Sequence, residues 1–369
     1  MLYLIGTGVN EYDSLSLDSI SVLQKSDFIF IERFTGYLSN SFINQIYSIL
    51  SSFPGTGEKS PELKIVNRWF VEDGRDILQK SRDNNVSILI YGDPLIATTY
   101  IELLVRAKKQ SVNYKIIHSS SGISTLIGES GLHPYKFGKM VTMMSDPMSS
   151  ITVYNTIYGN ICLGLHTLIL TEYRYDDKKN HHNDKNNEAF FLSPIKAIEL
   201  LLDRESEFKL LNLSKESFII IASKVGTDRS QIKSGKIKSF LKSEFENGHT
   251  SIIVPGSLHF TEIDSIRNLT LLMDDPIDNS SKIEKVSNKM LDKYIPNAKI
   301  ALSNLNDLLK AEEWSHKKDY STVLENAENY LFDAEIFYKQ GKHELAILSV
   351  GYAEGLIDSI RFQKGLNPW

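Results

Sequence analysis

The stretch Ser87–Thr99, SILIYGDPLIATT, constrains this chain more than any other. Ile88 to Tyr91 form an apolar run short enough for a buried strand and too short for a helix. The run then breaks into Gly92-Asp93-Pro94. Gly92 permits a turn that other residues resist, while Pro94 removes a donor and fixes φ, so the strand must stop here. The spacing predicts a helix over Leu95–Lys108, with Ile101, Leu104 and Val105 on one face. A strand, a glycine turn carrying one carboxylate and a helix mark the usual ligand position of an open α/β sheet, the crevice beyond the strands' carboxyl ends. By themselves, the three residues GDP specify only a strand-to-loop turn.

The chain opens on the same device. Leu2–Gly6 is an apolar run that enters Gly6-Thr7-Gly8, again suited to bringing backbone close to a ligand. The third glycine of a dinucleotide fingerprint is missing, since Asn10-Glu11-Tyr12 follow, which disfavours a nicotinamide-binding Rossmann domain. Between the two turns, Ser16–Lys25 reads as a helix capped by Ser14 or Ser16, Asp27–Glu32 as a strand, Leu63–Asn67 as a weak strand and Val71–Asn84 as a helix. Tyr114–His118 is a further strand, ending in the small-residue loop Ser119–Ser124. Strands alternating with helices imply a mostly parallel sheet covered on both faces.

In the second half Gly164–Thr171, Ser217–Ala222 and Ser251–Val254 read as strands, and Ser193–Leu202, Lys233–Glu246 and Thr261–Leu272 as helices. Tyr175–Glu188 has no periodicity. His181 and His182 within it match no zinc spacing, so a solvated loop is the expectation and no metal site is assigned. After a polar linker, Asp274–Lys289, apolar residues recur at helical spacing: Leu302, Leu305 and Leu309, then Val323, Ala327, Tyr330, Ala334 and Phe337, then Leu345, Leu348, Tyr352, Leu356 and Ile360. These predict a bundle of about three helices.

At 369 residues the chain has room for two or three domains. Its net charge of −5 offers no basic face for nucleic acid. A single cysteine, Cys162, excludes an internal disulfide and any cysteine-built zinc site, and fits a reducing cytoplasm. The first residues already belong to a strand, so no signal peptide is expected ahead of the fold. No apolar run approaches the roughly 20 residues of a membrane helix.

Taken in order, MLYLIGTGVN, LSLDSISVLQKSDFIFIERFTG, YGDPLIATT, GLHPYKFGK (Gly131–Lys139), GLHTLIL and IIVPGSLHF (Ile252–Phe260) resemble the diphthine synthase family, part of the tetrapyrrole-methylase fold group. The resemblance spans roughly residues 1 to 275. It implies two α/β domains, 1–118 and 119–275, with S-adenosyl-L-methionine in the cleft between them. A linker, 276–289, and an all-α module, 290–369, follow. The module is similar to one of unknown function in archaeal proteins, which implies an archaeal source. The family transfers methyl groups from S-adenosyl-L-methionine to the amino group of a 3-amino-3-carboxypropyl-histidine on elongation factor 2, giving diphthine on the route to diphthamide. Its members imply a cytoplasmic homodimer with elongation factor 2 as protein substrate, and neither membrane nor direct nucleic-acid contact. Two alternatives stay open: a methyltransferase of the same fold acting on a tetrapyrrole or RNA, and a cofactor-binding scaffold without catalysis.

Carried over by position, the resemblance puts cofactor contacts at Val9, Asp93, Ile96, Gly122, Ile123, Thr171, Val225 and Thr250. Glu172 and Tyr100 depart from the family's aspartate and histidine, and Thr171 and Thr250 replace an apolar residue and a histidine. These contacts suit the cofactor, which needs apolar walls and closely approachable backbone. Methyl transfer needs alignment and exclusion of water, with no metal and no covalent nucleophile. His118, His166 and His259 lie at ends of apolar segments near the expected rim. Each reads as a structural histidine, and no catalytic residue is assigned.

Overall fold

The structure, a computed structural model, describes residues 1–52, 61–175, 189–210, 213–279, 286–311 and 320–366. The chain divides into two compact units, Met1–Ser281 and Lys282–Trp369. Among the described residues no helix is long and apolar enough to cross a membrane.

The first unit holds two sheets. Strands β1 (Leu2–Gly6), β2 (Phe28–Glu32), β3 (Glu62–Val66), β4 (Val86–Ile90) and β5 (Tyr114–Ile117) run parallel in the order β3-β2-β4-β1-β5. Alternate residues feed opposite faces: Leu2, Leu4, Phe30, Ile88 and Ile90 enter one core, and Ile5, Ile29, Ile31 and Leu89 the other. Both faces are dry, which is why these strands read as unbroken apolar runs.

Strands β6 (Val141–Met143) and β7 (Thr167–Thr171) begin the second half, and β8 (Tyr173–Tyr175) pairs with β9 (Ala189–Phe191) in a separate ribbon. Strands β10 (Phe218–Ser223), β11 (Gln231–Lys236), β12 (Thr250–Val254) and β13 (Leu271–Leu272) complete a sheet ordered β13-β11-β10-β12-β7-β6. Its four central strands are antiparallel, with a parallel pair at each edge. Helix Gly122–Glu129 leaves the first sheet after β5, yet its Leu126 is buried with Phe218, Ile220 and Ile253 in the core of the second.

Several expectations are corrected. The helix after the GDP turn begins at Tyr100, not Leu95, and buries Tyr100, Leu103, Leu104 and Ala107, leaving Ile101 and Val105 exposed. Gly74, at φ +60°, splits the expected Val71–Asn84 helix into Arg68–Asp73 and Arg75–Asp83. The expected Lys233–Glu246 helix is mostly absent. Its first residues belong to β11, whose Ile232 and Ser234 are buried with the strand's period of two, and only Ile237–Phe240 is helical. Helix Phe260–Leu269 stops early because Leu271 and Leu272 pair with β11. The expected linker from Asp274 begins later, because its first residues belong to the first unit. Asp274 accepts from Lys236 N, and buried Asn279 brackets β10 by bonding both Phe218 N and Phe218 O.

Three helices, Val286–Ala311, Ser321–Lys339 and His343–Gln363, build the second unit. Leu302, Leu305, Ala327 and Ala334 are buried as the stripes predicted. The third stripe holds only at its end, where Ile360 is buried and Leu356 packs on the core. Leu345, Leu348 and Tyr352 are exposed, and the buried face is Ala346, Val350, Ala353, Ile357 and Ile360. Small residues let the helices approach closely, so the largest apolar side chains do not mark the seam.

The GLHPYKFGK, GLHTLIL and IIVPGSLHF blocks converge on one residue outside all of them, Glu262. Its fully buried carboxylate meets Lys136 Nζ and His166 Nε2 and accepts from the backbone N–H of His133 and His259. His166 Nδ1 accepts from Gly256 N, so His166 donates to Glu262 as a neutral ring. Burial works against the Glu262 charge, but this ring of donors prevails and holds the carboxyl down at about 2. His259 caps helix Phe260–Leu269. His166 and His259 are thus structural, as the sequence favoured.

Two expectations follow. Glu262→Gln leaves Lys136 without its counter-charge and should lower unfolding free energy by about 3 kcal/mol or more in urea titration. Since each unit closes its own core, a fragment ending at Lys285 should melt cooperatively by itself. A fragment that is soluble but shows no cooperative transition in calorimetry would count against this.

Candidate functional site

The two glycine turns of the sequence meet. Gly8 N donates to Gly92 O at 3.1 Å and Gly92 N to Gly8 O at 3.0 Å, with both residues at positive φ. A Cβ on Gly6 would lie 2.6 Å from Gly92 O, so a side chain there would force the turns apart. The bridge sits just past the carboxyl ends of the adjacent strands β1 and β4.

Asp93 follows directly and is buried. Its Oδ1 accepts from Leu95 N at 2.9 Å, while Oδ2 lies 2.8 Å from His118 Nδ1 and 3.3 Å from Ser119 N. The carboxylate thereby ties the loop after β4 to the loop after β5. The loop beyond it holds Ala97 at φ +57°, a strained conformation for a residue with a Cβ.

Between the two sheets lies a cavity of about 470 Å³. Seven of the eight residues expected at the cofactor line it: Asp93, Ile96, Gly122, Ile123, Thr171, Val225 and Thr250. Val9 instead lines an adjoining chamber of about 1100 Å³, packed against the bare backbone of Gly226. Tyr91, Lys224, Val225 and His249 border both spaces and form their junction. The walls fit a nucleoside carrying an amino-acid tail. Ile96, Ile123, Leu126, Leu170, Ala222 and Val225 supply apolar surface, and Gly92 and Gly122 leave backbone bare.

The two threonines that depart from the family pattern touch each other. Thr171 Oγ1 donates to Thr250 O at 2.8 Å and lies 3.1 Å from Thr250 Oγ1, across neighbouring strands β7 and β12. Glu172, also buried, accepts from Ser145 N and pairs with Arg174 at 3.0 Å. Tyr100 buries a hydroxyl that has no partner among the described residues. His181 and His182 lie outside the described residues, and the described ones hold no group of three or more metal-ligating side chains.

Sequence reasoning missed an aromatic wall. His249 stacks on Tyr91 at 5.2 Å, with Tyr173 at 5.0 Å and Phe191 at 5.1 Å, and its Nε2 accepts from Tyr37 N at 2.9 Å. Burial pushes this imidazole down to about 4 and the Tyr91 phenol up to about 12, so both rings are neutral at pH 7. Next to them Arg33 lies over the Tyr175 and Tyr37 rings. One signal was available. Tyr173 and Tyr175 alternate around Arg174 as on one face of a strand, and Tyr173 is paired with Phe191.

A family model for tetrapyrrole (corrin/porphyrin) methylases matches residues 1–240, and a second, for a protein family of unknown function designated DUF357, matches 293–366. The chain is 29% identical to a diphthine synthase of Methanocaldococcus jannaschii, over 73% of this chain and 98% of that protein. It is 31% identical to a diphthine methyl ester synthase of Dictyostelium discoideum, over 71% of this chain and 95% of that one. The fold is similar to a diphthine synthase crystal structure, with a TM-score of 0.60 at 20% identity, covering 73% of this chain and 96% of the other.

The neutral His249 carries a pH signature. Its ordinary value is 6.5 and its folded value about 4, so between these the unfolded chain binds a proton that the folded chain refuses. Stability should therefore fall as pH drops through this window. His249→Gln, which keeps a hydrogen-bond acceptor but does not titrate, should flatten that fall in urea unfolding measured across the window.

Proposed function

We propose a reaction for a chain that belongs to the tetrapyrrole (corrin/porphyrin) methylase family and, within it, to the diphthine synthases. This S-adenosyl-L-methionine-dependent methyltransferase methylates the amino group of the 3-amino-3-carboxypropyl-histidine of elongation factor 2 to give diphthine. The observation that carries the reading is the pair of joined spaces. One is walled by seven of the residues expected at the cofactor, and the other opens beside it through Tyr91, Lys224, Val225 and His249.

When bound, S-adenosyl-L-methionine supplies an electrophilic methyl group on a sulfonium. The chain's own residues shape the place where that methyl meets the amine. Ile96, Ile123 and Val225 bind apolar surface, and the Gly8–Gly92 bridge with the Asp93 clamp fixes the floor. Thr171 and Thr250 spend their hydroxyls largely on each other, so their exposed edges guide a ligand through backbone as much as side chain. The amine nitrogen must present a lone pair in line with the breaking C–S bond, and the aromatic wall excludes water from that line. His249 and Tyr91 do not store the displaced proton at neutral pH, since burial keeps both neutral. The proton leaves to solvent through the open chamber.

The domain assignment fits the same reading: residues 1–118 and 119–275 perform the transfer, and 290–369 recruit rather than catalyse. The family supports a cytoplasmic homodimer of archaeal source.

The test mixes full-length protein, S-adenosyl-L-methionine and elongation factor 2 bearing the unmethylated intermediate, and follows the mass of the modified peptide. Stepwise methyl increments, undiminished in chelator, are expected. Asp93→Ala should weaken cofactor affinity in calorimetry and lower stability by about 1–3 kcal/mol, from the loss of a buried acceptor. An unchanged peptide mass would refute the reading.

A further inference from the structure

We propose, resting on the methyl-transfer reading above, that the larger chamber is the acceptor site. Arg33 receives a carboxylate of the acceptor there, and the aromatic wall takes its amino group, held more tightly once methylation makes it a permanent cation. Arg33 is only 5% exposed. Its Nη1 donates to Asn40 Oδ1 at 3.1 Å and to the Tyr175 hydroxyl at 3.0 Å, both neutral groups, and its buried Nε has no partner among the described residues. Among the described residues no carboxylate pairs with it.

The chamber's other charges are engaged or lie at the rim. Glu11 accepts from Ser39 N and Ser39 Oγ, Lys224 pairs with Glu246, and Asp13, Asp228 and Arg229 are exposed. A buried guanidinium without a counter-charge is a costly arrangement, relieved by a bound anion. Its planar fork favours a carboxylate. The guanidinium carbon lies 4.4 Å from the Tyr175 ring centre and 5.3 Å from that of Tyr37, which fixes its position.

The second half of the receptor is the ring wall. Tyr37, Phe191 and His249 line the chamber, with Tyr37 6.0 Å and His249 5.1 Å from Phe191, and Tyr173 backs Phe191 at 5.1 Å from the side of the smaller cavity. Aromatic faces attract alkylated ammonium groups, more so as methylation strips their hydration. A carboxylate receptor and a cation-accepting wall in one chamber, joined to the cofactor cavity, describe the head group of an α-amino acid. Arg33 and the ring wall hold the two ends of this head group apart, and each added methyl group leaves the product better held by the rings for the next.

The experiment uses the full chain. Arg33→Gln is expected to raise the acceptor KM roughly 10- to 100-fold, the loss of one charge-assisted contact. Its affinity for S-adenosyl-L-methionine by calorimetry should not change, because Arg33 is absent from the walls of the smaller cavity. An unchanged acceptor KM in a folded Arg33→Gln protein would overturn the proposal. A second measurement needs only the unaltered protein. Glycine betaine, a carboxylate with a trimethylammonium, should inhibit competitively against the acceptor and not against the cofactor. Inhibition by inorganic phosphate without inhibition by betaine would overturn the proposal in favour of a phosphorylated acceptor. Should the unaltered protein transfer no methyl to elongation factor 2, the reaction assigned above fails by itself. The chamber is then judged by betaine binding in NMR saturation transfer, expected with Arg33 and lost in Arg33→Gln. Equal binding to both proteins would end it.

Discussion

Two hydrogen bonds between glycines, Gly8 to Gly92 and back, are the constraint on which the site depends. Parallel strands do not close at their ends by themselves, because each chain leaves the sheet toward a helix. Here the two exits cross and pair once, antiparallel, before they part. Neither residue tolerates a Cβ at its φ without strain, and Gly6 beneath them has no room for one. With the backbone pinned there, Asp93 reaches His118 and Ser119 on the next loop, and helix Gly122–Glu129 starts from a fixed point before crossing to the other core.

Charge is distributed in an orderly way across the first unit. The deeply buried ion network, Glu262 with Lys136 and His166, holds together segments of the second sheet and lines neither cavity. The junction between the cavities sets two neutral rings, Tyr91 and His249, beside Val225 and a Lys224 whose charge is paired with Glu246. A reaction that moves a positively charged centre from sulfur to nitrogen is favoured by such a surface, which stabilises a cation without competing for it as a base would.

The parallel sheet and both glycine turns were legible because burial on two faces and tight backbone approach each leave a local mark, in apolar runs and in glycines. The residues expected at a cofactor came only from the resemblance, since single residues such as Thr171 or Val225 carry no pattern of their own. What escaped was non-local. Glu262 looks like an ordinary first-turn acid of a helix, and its importance comes from donors that arrive from residues 133, 136 and 166. Arg33 looks like a surface cation at a strand end until the β8–β9 ribbon brings Tyr175 to its face. The third tail helix misled for a different reason: close helix packing selects alanine, and hydrophobic size is then the wrong guide.

Five described residues other than glycine hold positive φ, and three of them, Glu11, Ala97 and Lys224, line the two cavities. Each raises the energy of the folded state locally, and the rest of the first unit compensates. The same positions are where a search for heat resistance would first find gains, by glycine replacement or loop shortening. Such gains would come from relaxing the loops that shape the two chambers. For this fold, resistance to heat and fidelity in handling an acceptor draw on the same few backbone angles, and selection for one acts on the other.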